Sequence, residues 1–162
     1  MFDQSHRVKA TMREPPGLDL AGTRVFFEGA HPGVVDGPLC AQMIAGGMSN
    51  LTYEVTDGQK RWIVRRPPLG CVLATAHDMP REHRVMVALH STDVPVPQTY
   101  APCKDPDVIG APFCVMELVK GTPYRLAAEL ELLGSERTAA ISTRMVETLA
   151  TLHRVAPARR SG

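Results

Sequence analysis

Nowhere in this chain do about 18 apolar residues run together, and its first ten residues, MFDQSHRVKA, contain no apolar core of a signal peptide. Both absences argue against a membrane-spanning helix and a secretory leader, so the expectation is a soluble, cytoplasmic protein. A dominant charge is missing as well. Eighteen Lys and Arg stand against 17 Asp and Glu, a net charge of +1, which gives no reason to expect nucleic acid or a membrane surface as partner. The four cysteines, Cys40, Cys71, Cys103 and Cys114, are far apart and form no C-x-x-C pair. Neither a zinc site nor a disulfide framework is indicated, and reduced thiols are the simple reading. What remains is 162 residues, 44% of them hydrophobic, enough for one ordinary core but not two.

Residues 1–17 are polar, end in Pro15-Pro16-Gly17 and carry no period, which marks a loose leader. Asp19 to about Gly29 predicts a short helix with Leu20, Phe26 and Phe27 inward. Leu39 to Ala45 reads as a strand, Gly46-Gly47 as a tight turn, and Leu51 to Thr56 (LTYEVT) as an alternating second strand. Asp57-Gly58 carries the composition of a two-residue type I′ hairpin turn. A third strand, Lys60 to Arg66, stops at Pro67-Pro68, which completes a three-stranded meander. Asp78 is placed to cap a helix with Pro80 in its first turn, running to about His90 with Val85, Met86 and Leu89 on one face. Two more strands follow, around Thr99 to Cys103 and Phe113 to Val119. Past Gly121 a weakly helical linker leads to Ser135, read as the cap of a long amphipathic helix, Glu136 to about Arg154. Its apolar residues Ile141, Met145, Val146, Leu149 and Leu152 form one stripe that needs a partner surface.

A glycine turn between two strands, a basic residue on the third strand, an acid on the next helix and two further strands make up the plan of a protein kinase-like small lobe. Six fragments in order, GGMSNLTYEV, WIVRRPP, AHDMPREHRVM.AL, VPVP, DPDVIGAPFCVMELV.G and LATLH, resemble the aminoglycoside phosphotransferase and choline kinase-like family, especially the kinase-like domains associated with acyl-CoA dehydrogenases. The similarity runs from about Leu39 to Val155. It implies an α+β fold: a kinase-like N-terminal lobe over residues 18–120, with a five-stranded antiparallel sheet and one main helix, then the beginning of a helical C-terminal lobe over residues 121–162.

The resemblance also implies a nucleotide site for ATP. Gly46, Gly47, Met48, Ser49 and Asn50 would lie over the phosphates, where small residues let backbone N–H groups approach. Arg65 occupies the position at which most kinases keep a phosphate-binding lysine, and Glu82 matches the acid that holds it. Arginine departs from the general pattern, yet its guanidinium can serve phosphate and carboxylate together. Arg65 as a mere surface residue, and Arg66 on the opposite face as the working cation, remain the competing readings. Met116, Glu117, Leu118 and Val119 correspond to the hinge whose backbone hydrogen-bonds adenine.

Other tempting features have simpler explanations. Asp105-Pro106-Asp107 reads as a solvated turn, His77-Asp78 as a helix start, and His153 as a helix end. The scattered methionines read as core filler.

In this family LATLH is followed by H-G-D-x-x-x-x-N and a later D-x-D, which supply the group orienting the acceptor hydroxyl and the ligands of magnesium. The first motif does not occur in these 162 residues, and their D-x-D precedes the hinge-like segment. The reading is therefore an ATP-binding lobe, inactive alone, with no catalytic residue or metal ligand assigned to it. Its partners would be a nucleotide and either a missing C-terminal lobe or a second copy docked on the helix at 136–154. The alternatives are a non-catalytic nucleotide- or partner-binding module and a truncated product without function.

Overall fold

Asp19 accepts a hydrogen bond from the backbone N–H of Gly22 and so starts helix α1, Leu20–Ala30, with Phe27 buried on its inner side. The computed structural model describes residues 14–44, 50–70 and 78–156. Strands β1 (Cys40–Met43), β2 (Leu51–Thr56) and β3 (Arg61–Arg66) follow, then helix α2 (Met79–His90) and strands β4 (Thr99–Cys103) and β5 (Phe113–Glu117). Helices α3 (Ala127–Glu131) and α4 (Ser135–Arg154) come after them. The five strands form one antiparallel sheet in the order β1-β2-β3-β5-β4, so the last strand inserts beside β3 and leaves β4 at the edge. An edge place suits β4, whose Pro102 has no N–H to give an outer neighbour.

Alternation along the strands divides the core in two. Tyr53, Val55, Trp62, Val64, Phe113 and Val115 point to one face and pack with Leu18, Phe27 and Leu39. The Phe27 ring meets Trp62 edge-on with centroids 5.1 Å apart, and Phe26 meets Phe113 in the same manner at 4.9 Å. Ile63, Cys114 and Met116 point to the other face, where Met79 of α2 closes a smaller cluster. α1 and α2 thus cover opposite faces of the sheet. Gly22 belongs to this packing, because a Cβ there would lie 2.3 Å from the carbonyl oxygen of Val108.

Several local expectations are corrected. The β2–β3 connection is a four-residue loop, since Thr56 pairs with Arg61 and, of Asp57 and Gly58, just Gly58 has positive φ, at +96°. Asp57 prefers to accept from the N–H groups of Gln59 and Lys60, at 2.8 and 2.7 Å, and so makes an Asx-type turn in place of type I′. On α2, Val85 faces solvent while Met86 packs inward. α4 is preceded by Gly134 at φ +79°, and Ser135 makes no side-chain capping bond. Beta strands β1 and β5 are shorter than expected at their C-terminal ends, and Gly46-Gly47 lies outside the described residues. Of the leader, the described end is held: Tyr53 Oη donates to the Pro16 carbonyl at 2.6 Å.

Candidate functional site

The face of the sheet under α2 brings together what the sequence places far apart. Arg65 sits on β3 between Thr52 of β2 and Cys114 of β5 in the strand register. Glu82 lies in the first turn of α2, positioned by the Asp78 cap, which accepts from Arg81 N–H at 2.9 Å. A carboxylate is favoured at that end of a helix. Arg65 Nη1 and Glu82 Oε2 are 3.2 Å apart, with each side chain about a third exposed, 34% and 36%. A pair this exposed contributes at most about 1 kcal/mol to stability. What it does supply is a guanidinium held in place with a third of its side chain in solvent.

Asn50, at the entrance to β2, is 8% exposed. Its Nδ2 donates to the other carboxylate oxygen, Glu82 Oε1, at 3.3 Å. Glu82 therefore divides its two oxygens between a cation and an amide.

Arg66 has a different occupation. It is 5% exposed on the α1 side, and its Nη1 donates to the carbonyls of Gly17 at 2.5 Å and Ile109 at 2.8 Å, while its Nε donates to Pro67. Those three carbonyls satisfy a buried charge and tie together the leader end, the β4–β5 loop and β3. Of the two neighbouring arginines, the one facing α2 is the more exposed.

Beneath this polar cluster lies an apolar floor of Ile63, Cys114 and Met116, with Ile44, Met86 and Leu118 packed against it. Burial pushes the Cys114 thiol up to about 11, and Arg65 nearby offsets part of that. The thiol stays protonated at neutral pH and acts as an apolar spacer below the ion pair. Met116 is buried at the end of β5, Leu118 packs on the floor and Val119 is exposed. Glu117 N–H donates to the Gln98 carbonyl at 2.8 Å, and Glu117 Oε2 accepts from Gln98 N–H, which fixes the β4–β5 end. Gly46, Gly47, Met48 and Ser49 lie outside the described residues. Sequence reasoning missed Ile44, Ile63 and Cys114. The signal for Ile63 was present, since it is two residues from Arg65 on an alternating strand.

The remaining candidates are placed as structural features. Asp105 Oδ1 accepts from Asp107 N–H at 2.9 Å in an exposed turn. Asp78 is a cap, His153 is exposed in the last turn of α4, and His77 lies outside the described residues. Among the described residues no three His, Cys, Asp or Glu side chains converge as a metal site. Among them, too, no helix is long and apolar enough to cross a membrane.

Comparison with known proteins places this arrangement. The model of the phosphotransferase enzyme family, APH, matches residues 41–161. The chain belongs to that family. It is 38% identical over 117 residues to acyl-CoA dehydrogenase family member 11 of Gallus gallus, covering 72% of this chain and 15% of that protein. Over 107 residues it is 41% identical to the Homo sapiens member 11, covering 66% and 14%, and it is 39% identical over 112 residues to the probable acyl-CoA dehydrogenase IBR3 of Arabidopsis thaliana, again 66% and 14%. A crystal structure from Ralstonia eutropha JMP134, of a protein given provisionally as an aminoglycoside phosphotransferase, superposes with a TM-score of 0.68 at 31% identity. That match covers 85% of this chain and 38% of the other. The chain thus spans about a seventh of these curated relatives, and its sheet and α2 have the architecture of the N-terminal lobe of a kinase-like phosphotransferase.

Proposed function

We propose that this chain is the ATP-binding lobe of a small-molecule phosphotransferase, with Arg65 as the cation that meets the nucleotide's phosphates. One observation carries the reading: Arg65 is buttressed by Glu82 across two elements, yet remains a third exposed. Membership of the phosphotransferase family supports this reading, in which a phosphoryl group passes from ATP to a hydroxyl. Ile63, Met116 and Leu118 offer an apolar bed for adenine, and the backbone that follows the Glu117 N–H, itself taken by Gln98, its hydrogen bonds. Gly46, Gly47, Met48 and Ser49 complete the phosphate side in this reading, with Asn50 at the end of that run bonded to Glu82. Magnesium, when present, would neutralise charge on the transferred group. In this reading its ligands and the group orienting the acceptor belong to the H-G-D-x-x-x-x-N and later D-x-D motifs of the family, the first of which does not occur in these 162 residues.

The test is a calorimetric titration of MgATP and of adenosine into the wild type and Arg65→Ala. Loss of one charge-assisted contact to phosphate weakens MgATP about 10- to 100-fold, while adenosine changes little. Equal MgATP affinity in the two proteins overturns the assignment. On the same reading, the wild-type chain alone turns over no MgATP above background with any hydroxyl acceptor.

A further inference from the structure

Resting on the nucleotide reading, we infer that Asn50 is a positioning residue that acts on phosphate through Glu82 and Arg65, its side chain being turned onto the helix acid. The amide is 8% exposed and its Nδ2 lies 3.3 Å from Glu82 Oε1, while Glu82 Oε2 lies 3.2 Å from Arg65 Nη1. The orientation of the amide is chemically determined. An ionised carboxylate accepts only, so the N–H₂ end and not the carbonyl end must face it.

A carboxylate with a single partner on an exposed helix turn can rotate about its last bond and exchange oxygens. Engaging Oε1 with a donor from the start of β2 removes that freedom and leaves Oε2 for the guanidinium. Three elements, the entrance to β2, strand β3 and helix α2, are then locked through one carboxyl group. The preorganised cation loses less rotamer freedom when phosphate arrives, which is where affinity is gained.

The experiment is a double-mutant cycle on the full chain, with MgATP and adenosine as probes. Asn50→Ala is expected to weaken MgATP about fivefold and to leave adenosine within about twofold. In a Glu82→Ala background, the same substitution should change MgATP by less than about twofold, because the relay is already cut. Asn50→Asp, nearly the same shape, should bind MgATP more weakly than Asn50→Ala, since it sets a second carboxylate against Glu82. Independent losses in the two backgrounds would mean that Asn50 touches the ligand itself and overturn the inference. So would rescue by Asn50→Asp, or a parallel loss of adenosine, either of which makes the role one of packing. Should Asn50→Ala fail to fold, Asn50→Ser, too short to reach Glu82, carries the cycle. A wild type that binds adenosine and MgATP equally, or neither, overturns the phosphate reading and this inference with it.

Discussion

Arg65 and Arg66 are chemically identical neighbours with opposite roles, and the difference comes from the faces of one strand. The first spends its charge at a partly open ion pair, the second on three backbone carbonyls in the interior. Their substitutions should separate cleanly. Arg66→Ala leaves those carbonyls without their donor and should cost about 3 kcal/mol in a urea melt, with MgATP affinity of the folded fraction retained. Arg65→Ala should cost under about 1 kcal/mol while weakening MgATP. The reverse pattern would show that the buried arginine is the ligand cation. Period-two alternation along WIVRR already separates the two residues, but which face is closed depends on α1 and the leader end, and neither is legible in that pentapeptide.

At the scale of elements, the β2–β3 loop shows how one side chain can replace a standard turn. Asp57 holds the N–H groups of Gln59 and Lys60 within the loop and that of Asp36, from the segment between α1 and β1, at 3.0 Å. Burial pushes its carboxyl up, but the N–H groups of Asp36, Lys60 and Gln59 and the Lys60 ammonium outweigh it, so the group lies below the usual carboxylate range. A folded value held below the unfolded one contributes stability that is present above the ordinary carboxylate range and disappears as pH falls through the depressed value. Asp57→Ala should therefore cost about 1–3 kcal/mol at pH 7 and flatten the acid limb of the stability curve measured by urea melts. An unchanged acid limb would mean that other carboxylates govern it. The dipeptide Asp-Gly announced a turn correctly. Its type was hidden, because Asp57 Oδ1 takes the N–H groups of Gln59 and Lys60 only in the folded loop, where Asp36, twenty-one residues away, holds Oδ2.

Across the whole molecule, the two ends of the chain are unequally packed. The sheet buries residues against both α1 and α2, whereas α4 buries none, and Met145, Val146, Leu149 and Leu152 remain 68%, 66%, 51% and 40% exposed. With Ile141 and Arg144 they line an open groove along the helix. The match to the Ralstonia eutropha structure covers 38% of that longer chain, and a contiguous apolar stripe of this kind is one that a partner surface ordinarily covers. Alone, the chain should light a hydrophobic dye and self-associate in sedimentation runs, and Met145→Glu with Leu149→Glu should abolish both. A dark, monodisperse wild type would remove the need for a covering surface. By itself the sequence determined the elements whose signals are local: β2 over Leu51–Thr56, the Asp78 cap of α2, and the stripe on α4, since alternation, caps and helical period are written along the chain. Tertiary structure decided what depends on distant partners. It inserted β5 beside β3, closed one face with α1, and brought Asn50 to the Glu82 carboxylate that the resemblance had already paired with Arg65, because contacts between distant elements have no expression in the spacing of residues.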